Sequence, residues 1–138
     1  MLRLLSIIFL IMLFSNICLA STTSYDKYGS KTGSYKTNSS GTINHYDKYG
    51  SKTGSYRKTS SGYNSYDKYG SKTGSYKTNG NTTTSYDKYG SKTGSYKTSG
   101  NTTTSYDKYG NKTGSYKTDS SGRITQYDKY GHKVGSYK

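Results

Sequence analysis

The chain consists largely of one near-identical twelve-residue motif that occurs six times. The motif reads Tyr-Asp-Lys-Tyr-Gly-x-Lys-Thr-Gly-Ser-Tyr-Lys, and its copies begin at Tyr25, Tyr46, Tyr66, Tyr86, Tyr106 and Tyr127. The copies are spaced 20 or 21 residues apart, a period typical of architectures in which each unit is stabilised by its neighbours. Because a residue that occurs six times is either structural or part of a multivalent surface, no unique site is expected.

Residues 1–20 differ in composition from the rest of the chain. A positive charge at Arg3 precedes an apolar run that ends at Phe14, and small residues precede a predicted cut after Ala20. This pattern predicts a secretory signal peptide. An uncleaved membrane anchor is the alternative, but the apolar run is shorter than the ~20 residues that span a bilayer. We therefore expect a secreted or periplasmic protein whose mature repeat region is 21–138.

The repeat region lacks the residues of an ordinary hydrophobic core. After Ala20 the chain has no Cys, Leu, Phe, Met or Trp, and its aliphatic residues larger than alanine are Ile43, Ile124 and Val134. Disulfide bonds within this region are therefore excluded, and a conventional two-layer core cannot be built. All nineteen tyrosines lie in the repeat region and supply its large apolar surface.

Each motif contains a predicted turn at Asp-Lys-Tyr-Gly. Asp at the first position and Gly at the fourth favour a type I turn in which Gly accepts a positive φ. The turn-forming residues are Asp26, Gly29, Asp47, Gly50, Asp67, Gly70, Asp87, Gly90, Asp107, Gly110, Asp128 and Gly131. Segments rich in Thr, Ser and Tyr, such as 30–37 and 42–47, favour β-strands. A second Gly-containing turn of varying length completes each unit.

These features predict an all-β fold, a tandem array of about six two-stranded β-hairpin repeats of 20–21 residues. We expect the hairpins to form a single-layer sheet or a solenoid, since each unit is too small to bury its own apolar surface. Low hydropathy and high charge favour the alternative of intrinsic disorder. The uniform turn chemistry and tyrosine spacing of the copies argue for a folded array.

The spacing of Tyr, Asp and Gly resembles that of the YD repeats in bacterial RHS-type proteins. The most similar segment is 119–128, Asp-Ser-Ser-Gly-Arg-Ile-Thr-Gln-Tyr-Asp. This resemblance implies β-hairpins that build sheet-like shells in exported proteins, although this chain is shorter, more basic and poorer in aliphatic residues. The run from Gly29 to Tyr35 is similar, more weakly, to MORN-type hairpins. The repeat length is also similar to that of choline-binding cell-wall repeats, whose tryptophans this chain lacks.

Catalytic residues are not expected. The side-chain carboxylates of the chain belong to the turn aspartates and Asp119, while His45 and His132 occupy unrelated positions and are expected to be exposed. These residues offer no acid–base pair in distinct environments, no nucleophile with a base, and no metal-ligand cluster. We therefore predict a non-enzymatic protein without a cofactor, a metal or a small-molecule substrate.

The charge of the repeat region predicts anionic partners. Twenty Lys and Arg against seven Asp leave residues 21–138 with a net charge of +13, which attracts polyanions in a salt-dependent manner. Tyrosine rings stack on sugars or bases, and lysines neutralise phosphate or sulfate. The candidate surface for an anionic polysaccharide or other polyanion comprises Tyr25, Lys27, Tyr28, Lys31, Tyr35, Lys36 and their equivalents in each repeat. The alternative is that tyrosines form the core and lysines the solvated face.

Together these observations predict a secreted repeat protein with a structural or multivalent interaction role at the cell envelope or outside the cell. Self-association is compatible with this role, and a stable membrane span after removal of the signal is not expected. One alternative is a glycan- or polyanion-binding module. The other is a basic, intrinsically disordered secreted polypeptide.

Overall fold

A computed structural model describes residues 21–138, and the predicted signal peptide at 1–20 lies outside the described residues. The described region is all-β, as predicted. Its strands, numbered in chain order, are β1 (Ser21–Asp26), β2 (Lys31–Thr37), β3 (Ile43–Asp47), β4 (Lys52–Thr59), β5 (Gly62–Asp67), β6 (Lys72–Asn79), β7 (Thr82–Asp87), β8 (Lys92–Ser99), β9 (Thr102–Asp107), β10 (Lys112–Thr118), β11 (Ile124–Asp128) and β12 (Lys133–Tyr137). Within residues 21–138, no helix of a length and apolarity suited to crossing a membrane occurs.

The twelve strands close into one antiparallel barrel. Each strand pairs with its neighbours in sequence, and β1 also pairs with β12. At this seam Tyr25 lies opposite Ser136, and Thr23 and Lys138 exchange two backbone hydrogen bonds of 2.7 and 3.0 Å. The expectation of an open single-layer sheet or a solenoid is therefore wrong, and ordered strands take the place of the disordered alternative. Closure pairs the two edge strands, which an open array would leave with unpaired backbone groups.

All six Asp-Lys-Tyr-Gly turns lie at one end of the barrel, because turns alternate between the two ends of an up-and-down sheet. In the first turn, Asp26 Oδ1 accepts hydrogen bonds from the backbone N–H groups of Tyr28 and Ser30, each 2.9 Å long. Gly29 N–H donates to the Asp26 carbonyl, and Gly29 has a φ of +88°. The equivalent aspartates and glycines of the other five turns have the same arrangement. We call these six turns the crown.

The interior of the barrel is filled by a layer of six tyrosines, which we call the core tyrosines. They are the third tyrosines of the motifs and are only 1–8% exposed: Tyr35, Tyr56, Tyr76, Tyr96, Tyr116 and Tyr137. The core tyrosines lie on the even-numbered strands. They pair with inward-pointing residues of the neighbouring odd-numbered strands, for example Tyr56 with Ile43 and Tyr137 with Ile124. Burial raises the pKa of Tyr137 to about 12. Aromatic rings from the strands thus replace the aliphatic core that the sequence lacks.

A β-bulge occurs in every crown hairpin, on the strand that follows its turn. In the first hairpin Ser24 pairs with Gly33 but Tyr25 pairs with Lys31, so Thr32 has no counterpart. A Cβ on Gly33 would lie 2.5 Å from the backbone carbonyl oxygen of Tyr46. A Cβ on any of the equivalent glycines would likewise lie 2.4–2.9 Å from a tyrosine carbonyl oxygen: Gly54, Gly74, Gly94, Gly114 and Gly135. The second glycine of the motif is therefore required by this close approach of backbones.

Candidate functional site: the crown and the cavity beneath it

The barrel places the three tyrosines of each motif in three different environments. The third is a core tyrosine. The first points to the outer wall, where it is half-buried, and we call this set the wall tyrosines: Tyr25, Tyr46, Tyr66, Tyr86, Tyr106 and Tyr127. The second projects from the crown and is 74–81% exposed, and we call this set the crown tyrosines: Tyr28, Tyr49, Tyr69, Tyr89, Tyr109 and Tyr130. The predicted polyanion surface is therefore not one continuous surface, because Tyr35 and its equivalents are buried and not accessible from outside.

Each crown tyrosine has a lysine beside its ring. The Nζ atom of Lys27 lies 4.8 Å from the centre of the Tyr28 ring, a cation–π distance. The same contact, at 4.8–4.9 Å, joins Lys48 to Tyr49, Lys68 to Tyr69, Lys88 to Tyr89, Lys108 to Tyr109 and Lys129 to Tyr130. The crown is thus a ring of six identical aromatic and cationic pairs at one end of the barrel.

The crown end also carries a second set of lysines and the six aspartates of the turns. Lys31 and its equivalents begin the even-numbered strands and are exposed. The aspartate carboxylates accept backbone hydrogen bonds within the turns, and additional hydrogen bonds from Asn111 hold the pKa of Asp107 below its ordinary value. Because two of the three cationic residues of each motif and its one aspartate lie at this end, every unit contributes net positive charge to it.

The last lysine of the motif lies elsewhere, on the outer wall. Lys36 Nζ is 5.7 Å from the ring centre of the wall tyrosine Tyr46, and the guanidinium of Arg57 is 4.7 Å from that of Tyr66. These cations are exposed and make the outer wall hydrophilic. The structure therefore brings Lys27 and Tyr28 together at the crown and places Lys31 at the same end, opposite Tyr25 in the neighbouring strand. Lys36 lies on the outer wall, away from this group.

A cavity of about 680 Å³ lies beneath the crown, between the turns and the core tyrosines. Its floor is formed by the core tyrosines Tyr56, Tyr76, Tyr96 and Tyr116, and its walls by serine and threonine side chains from the crown hairpins. Turn aspartates such as Asp87 line its mouth. The sequence analysis did not predict this cavity, because an open array would have had no interior.

Two residues of the cavity wall differ from their equivalents in the other repeats. His45 is only 8% exposed, so the expectation that it is exposed is wrong, whereas His132 is exposed at the crown. The His45 ring lies 4.5 Å from the ring of Tyr35 and hydrogen-bonds Thr53 through Nδ1. Burial lowers the pKa of His45 to about 4, against an opposing effect of Asp47. Gln126 occupies the equivalent place in the sixth unit.

Gln126 is hydrogen-bonded to the core tyrosine layer. Its Oε1 atom accepts a 2.6 Å hydrogen bond from the buried Tyr137 hydroxyl. Among residues 21–138, no cluster of three or more His, Cys, Asp or Glu side chains is placed to hold a metal ion. The chemistry that the site offers is therefore hydrogen bonding from hydroxyl and amide groups, aromatic contact, and, at the crown, positive charge.

Comparison with known proteins adds no family to this description. Neither the scan against protein-family models nor the search of curated proteins gives a match.

Proposed function

We propose that the chain is a secreted, non-enzymatic binding protein whose crown holds anionic polymers such as acidic polysaccharides. The observation that carries this proposal is the ring of six crown tyrosines, each 74–81% exposed and each with a lysine against its ring. Large aromatic side chains exposed without a structural role are unusual and mark interaction surfaces. The tyrosine faces suit sugar rings, and the lysines suit sulfate, phosphate or carboxylate groups.

The charge distribution supports an anionic partner. The crown end carries two lysines for each aspartate, and one oxygen of each turn carboxylate, such as Asp26 Oδ1, already accepts two hydrogen bonds from turn amides. All of these lysines are exposed, and Lys27 and its equivalents lie against the crown tyrosine rings. A polymer that neutralises several of them releases its counterions, so its affinity should fall steeply as salt rises.

The closed barrel also changes how multivalency would operate. In an open array the six pairs would be spread along a line, whereas in the barrel they form a ring around one opening. A flexible chain bound at one turn raises the effective concentration of its next segment at the neighbouring turns. Binding is therefore shared among six weak contacts, and no single residue should dominate it.

Export is part of the proposal and rests on residues 1–20, whose apolar run and small residues match a cleavable signal peptide. If cleavage occurs after Ala20, the mature chain begins at Ser21. All twelve strands of the described region 21–138 lie after this cut. The hydrophilic outer wall, with exposed Lys36 and Arg57, suits an aqueous compartment.

Heparin-column chromatography of the chain from Ser21 onward tests the proposal. One variant replaces four crown lysines by alanine: Lys48, Lys68, Lys88 and Lys108. The control replaces four lysines of the outer wall: Lys36, Lys77, Lys97 and Lys117. Both variants lose four positive charges, so they differ only in where the charge is removed.

We expect the native protein and the wall variant to elute at high salt and the crown variant at distinctly lower salt. Equal elution of the two variants would reject the crown as the site and leave only a general effect of net charge. Flow-through of the native protein at low salt would reject an anionic partner altogether.

A further inference from the structure

The cavity beneath the crown carries a ring of paired hydroxyl groups. In the repeats with a serine before the first tyrosine, a threonine from the bulge of the next strand donates a hydrogen bond to that serine. Within residues 21–138 there are four such pairs: Thr32 with Ser24 at 3.0 Å, Thr73 with Ser65 at 3.0 Å, Thr93 with Ser85 at 2.9 Å and Thr113 with Ser105 at 2.9 Å. The last three pairs line the cavity. In each pair the serine oxygen accepts, so the serine keeps its own proton for a further partner.

The serines are held in place and lie at the cavity wall. Ser85 and Ser105 are buried, and the bulges fix the threonines that bond to them. The cavity wall therefore presents several hydroxyl donors at one height, above a floor of aromatic rings. Such a set of convergent polar groups over an aromatic surface is typical of small-molecule sites, and 680 Å³ lies within their usual range of about 300–1,000 Å³.

The ring of hydroxyl pairs is interrupted at two places. His45 replaces the serine of the second unit, and in the sixth unit Gln126 and Val134 replace the serine and the threonine. The amide nitrogen of Gln126 is a donor, since its Oε1 atom already accepts from Tyr137. A six-unit barrel with these exceptions has one distinguishable side, so a ligand in the cavity would have a preferred orientation.

We infer that this cavity binds a neutral sugar, most simply one or two rings at the end of a glycan chain. Hydroxyl groups around a sugar ring accept hydrogen bonds from serines and amides, and its apolar face packs on tyrosine rings. The described residues that line the cavity include no lysine or arginine, so an anionic group inside it would have no cation to neutralise its charge. This site is distinct from the crown: the crown is cationic and exposed, whereas the cavity, inside the aspartates at its mouth, presents mainly hydroxyl and aromatic groups.

The test measures binding of four neutral disaccharides, cellobiose, maltose, lactose and N,N′-diacetylchitobiose, to the chain from Ser21 onward. Saturation-transfer NMR detects binding and isothermal titration calorimetry measures affinity. The test variant replaces three cavity serines by alanine: Ser65, Ser85 and Ser105. The matched control replaces three serines of the outer wall on the even-numbered strands: Ser75, Ser95 and Ser115.

We expect at least one disaccharide to bind the native protein and the outer-wall control with equal affinity. The cavity variant should bind it roughly tenfold more weakly or worse, because three hydrogen bonds are lost. Affinity should not change between low and high salt, since the ligand is uncharged. Heparin elution of the cavity variant should equal that of the native protein, so this inference and the crown proposal fail separately.

Absence of binding for all four disaccharides, or equal weakening in both serine variants, would overturn the inference. Binding that salt abolishes would also overturn it, because it would place the sugar at the charged crown. If the triple variant does not fold, as judged by circular dichroism, Ser85→Phe serves instead, because its ring fills the cavity from one position. A folded S85F protein that still binds the disaccharide at native affinity would contradict the cavity site.

Discussion

The core tyrosines and the crown tyrosines come from the same motif, only seven residues apart, yet they have opposite roles. Tyr116 is 2% exposed within the barrel, whereas Tyr109 of the same unit is 79% exposed at a turn. The core ring replaces the aliphatic side chains that the chain lacks, and the crown ring contacts solvent and a lysine. The difference shows that the position of a tyrosine in the hairpin, and not its residue type, determines whether it is buried or exposed.

The physical cause is the geometry of the hairpin. Successive residues of a strand point to opposite faces, so Ser115 faces outward while its neighbours Gly114 and Tyr116 face inward. A residue in the turn belongs to neither face and projects beyond the end of the barrel. The motif therefore assigns one tyrosine to the interior, one to the wall and one to the crown in each of six copies.

The largest expected effect follows from removing one core ring. Tyr116→Ala should lower the free energy of unfolding by about 3–5 kcal/mol, because it leaves a cavity among buried rings. Tyr109→Ala, the crown control from the same unit, should change it by less than about 0.5 kcal/mol. Urea or thermal unfolding followed by circular dichroism measures both. Similar destabilisation by the two variants would contradict the division into core and crown.

Lowering the pH is expected to have a smaller effect on the free energy of unfolding, and this effect arises from a buried residue of the interior. The pKa of His45 is about 4 in the folded protein, below its unfolded value of 6.5, so protonation favours unfolding. Its contribution to stability is complete above pH 6.5 and is lost as pH falls toward 4. We expect a loss of about 2 kcal/mol over this range, less than the full shift implies because His45 lines the solvent-accessible cavity.

The His45→Gln variant removes this titration and is compatible with the fold, since Gln126 occupies the equivalent position in the sixth unit. Unfolding free energies measured at several pH values should therefore depend less on pH in His45→Gln than in the native protein. Asn44→Gln, a change of a non-titrating residue on the outer face of the same strand, is the matched control and should retain the native dependence. An unchanged pH dependence in His45→Gln would show that the buried histidine is not its source.

Much of the local structure follows from the sequence alone. Asp at the first and Gly at the fourth turn position have one well-defined conformational preference, so the six turns and the all-β class are expected. Repetition of the Tyr-Asp-Lys-Tyr-Gly sequence likewise indicates that the equivalent side chains form a multivalent set. The crown part of the candidate surface, with Lys27, Tyr28 and Lys31, depends only on this local geometry.

The closure, the faces and the cavity depend on non-local contacts that the repeat does not encode locally. Each hairpin can pair with its neighbours in an open or a closed sheet, and only the pairing of β1 with β12 distinguishes the two. The bulge at Thr32 shifts the register by one residue, which changes which side chains face inward. Burial of Tyr35 and His45 could therefore not be derived from alternation along the chain.

Closure of the barrel is the central claim, and a disulfide across its seam tests it most directly. Tyr25 in β1 and Ser136 in β12 are register partners with outward-facing side chains, although 111 residues separate them. The chain from Ser21 onward contains no native cysteine, so Tyr25→Cys with Ser136→Cys introduces the only two thiols. The control pairs Tyr25→Cys with Ser75→Cys, which lies in β6 on the far side of the barrel.

Both double variants are oxidised under native conditions, and non-reducing gels with thiol counting are the readout. The closed barrel predicts a rapid intramolecular disulfide in the Tyr25→Cys, Ser136→Cys protein, since opposed residues have Cα atoms about 5.5 Å apart. The control should keep its thiols or form only dimers. In an open array of twelve strands the ends would lie about 50 Å apart. Free thiols or dimers alone in the seam variant would therefore contradict the barrel.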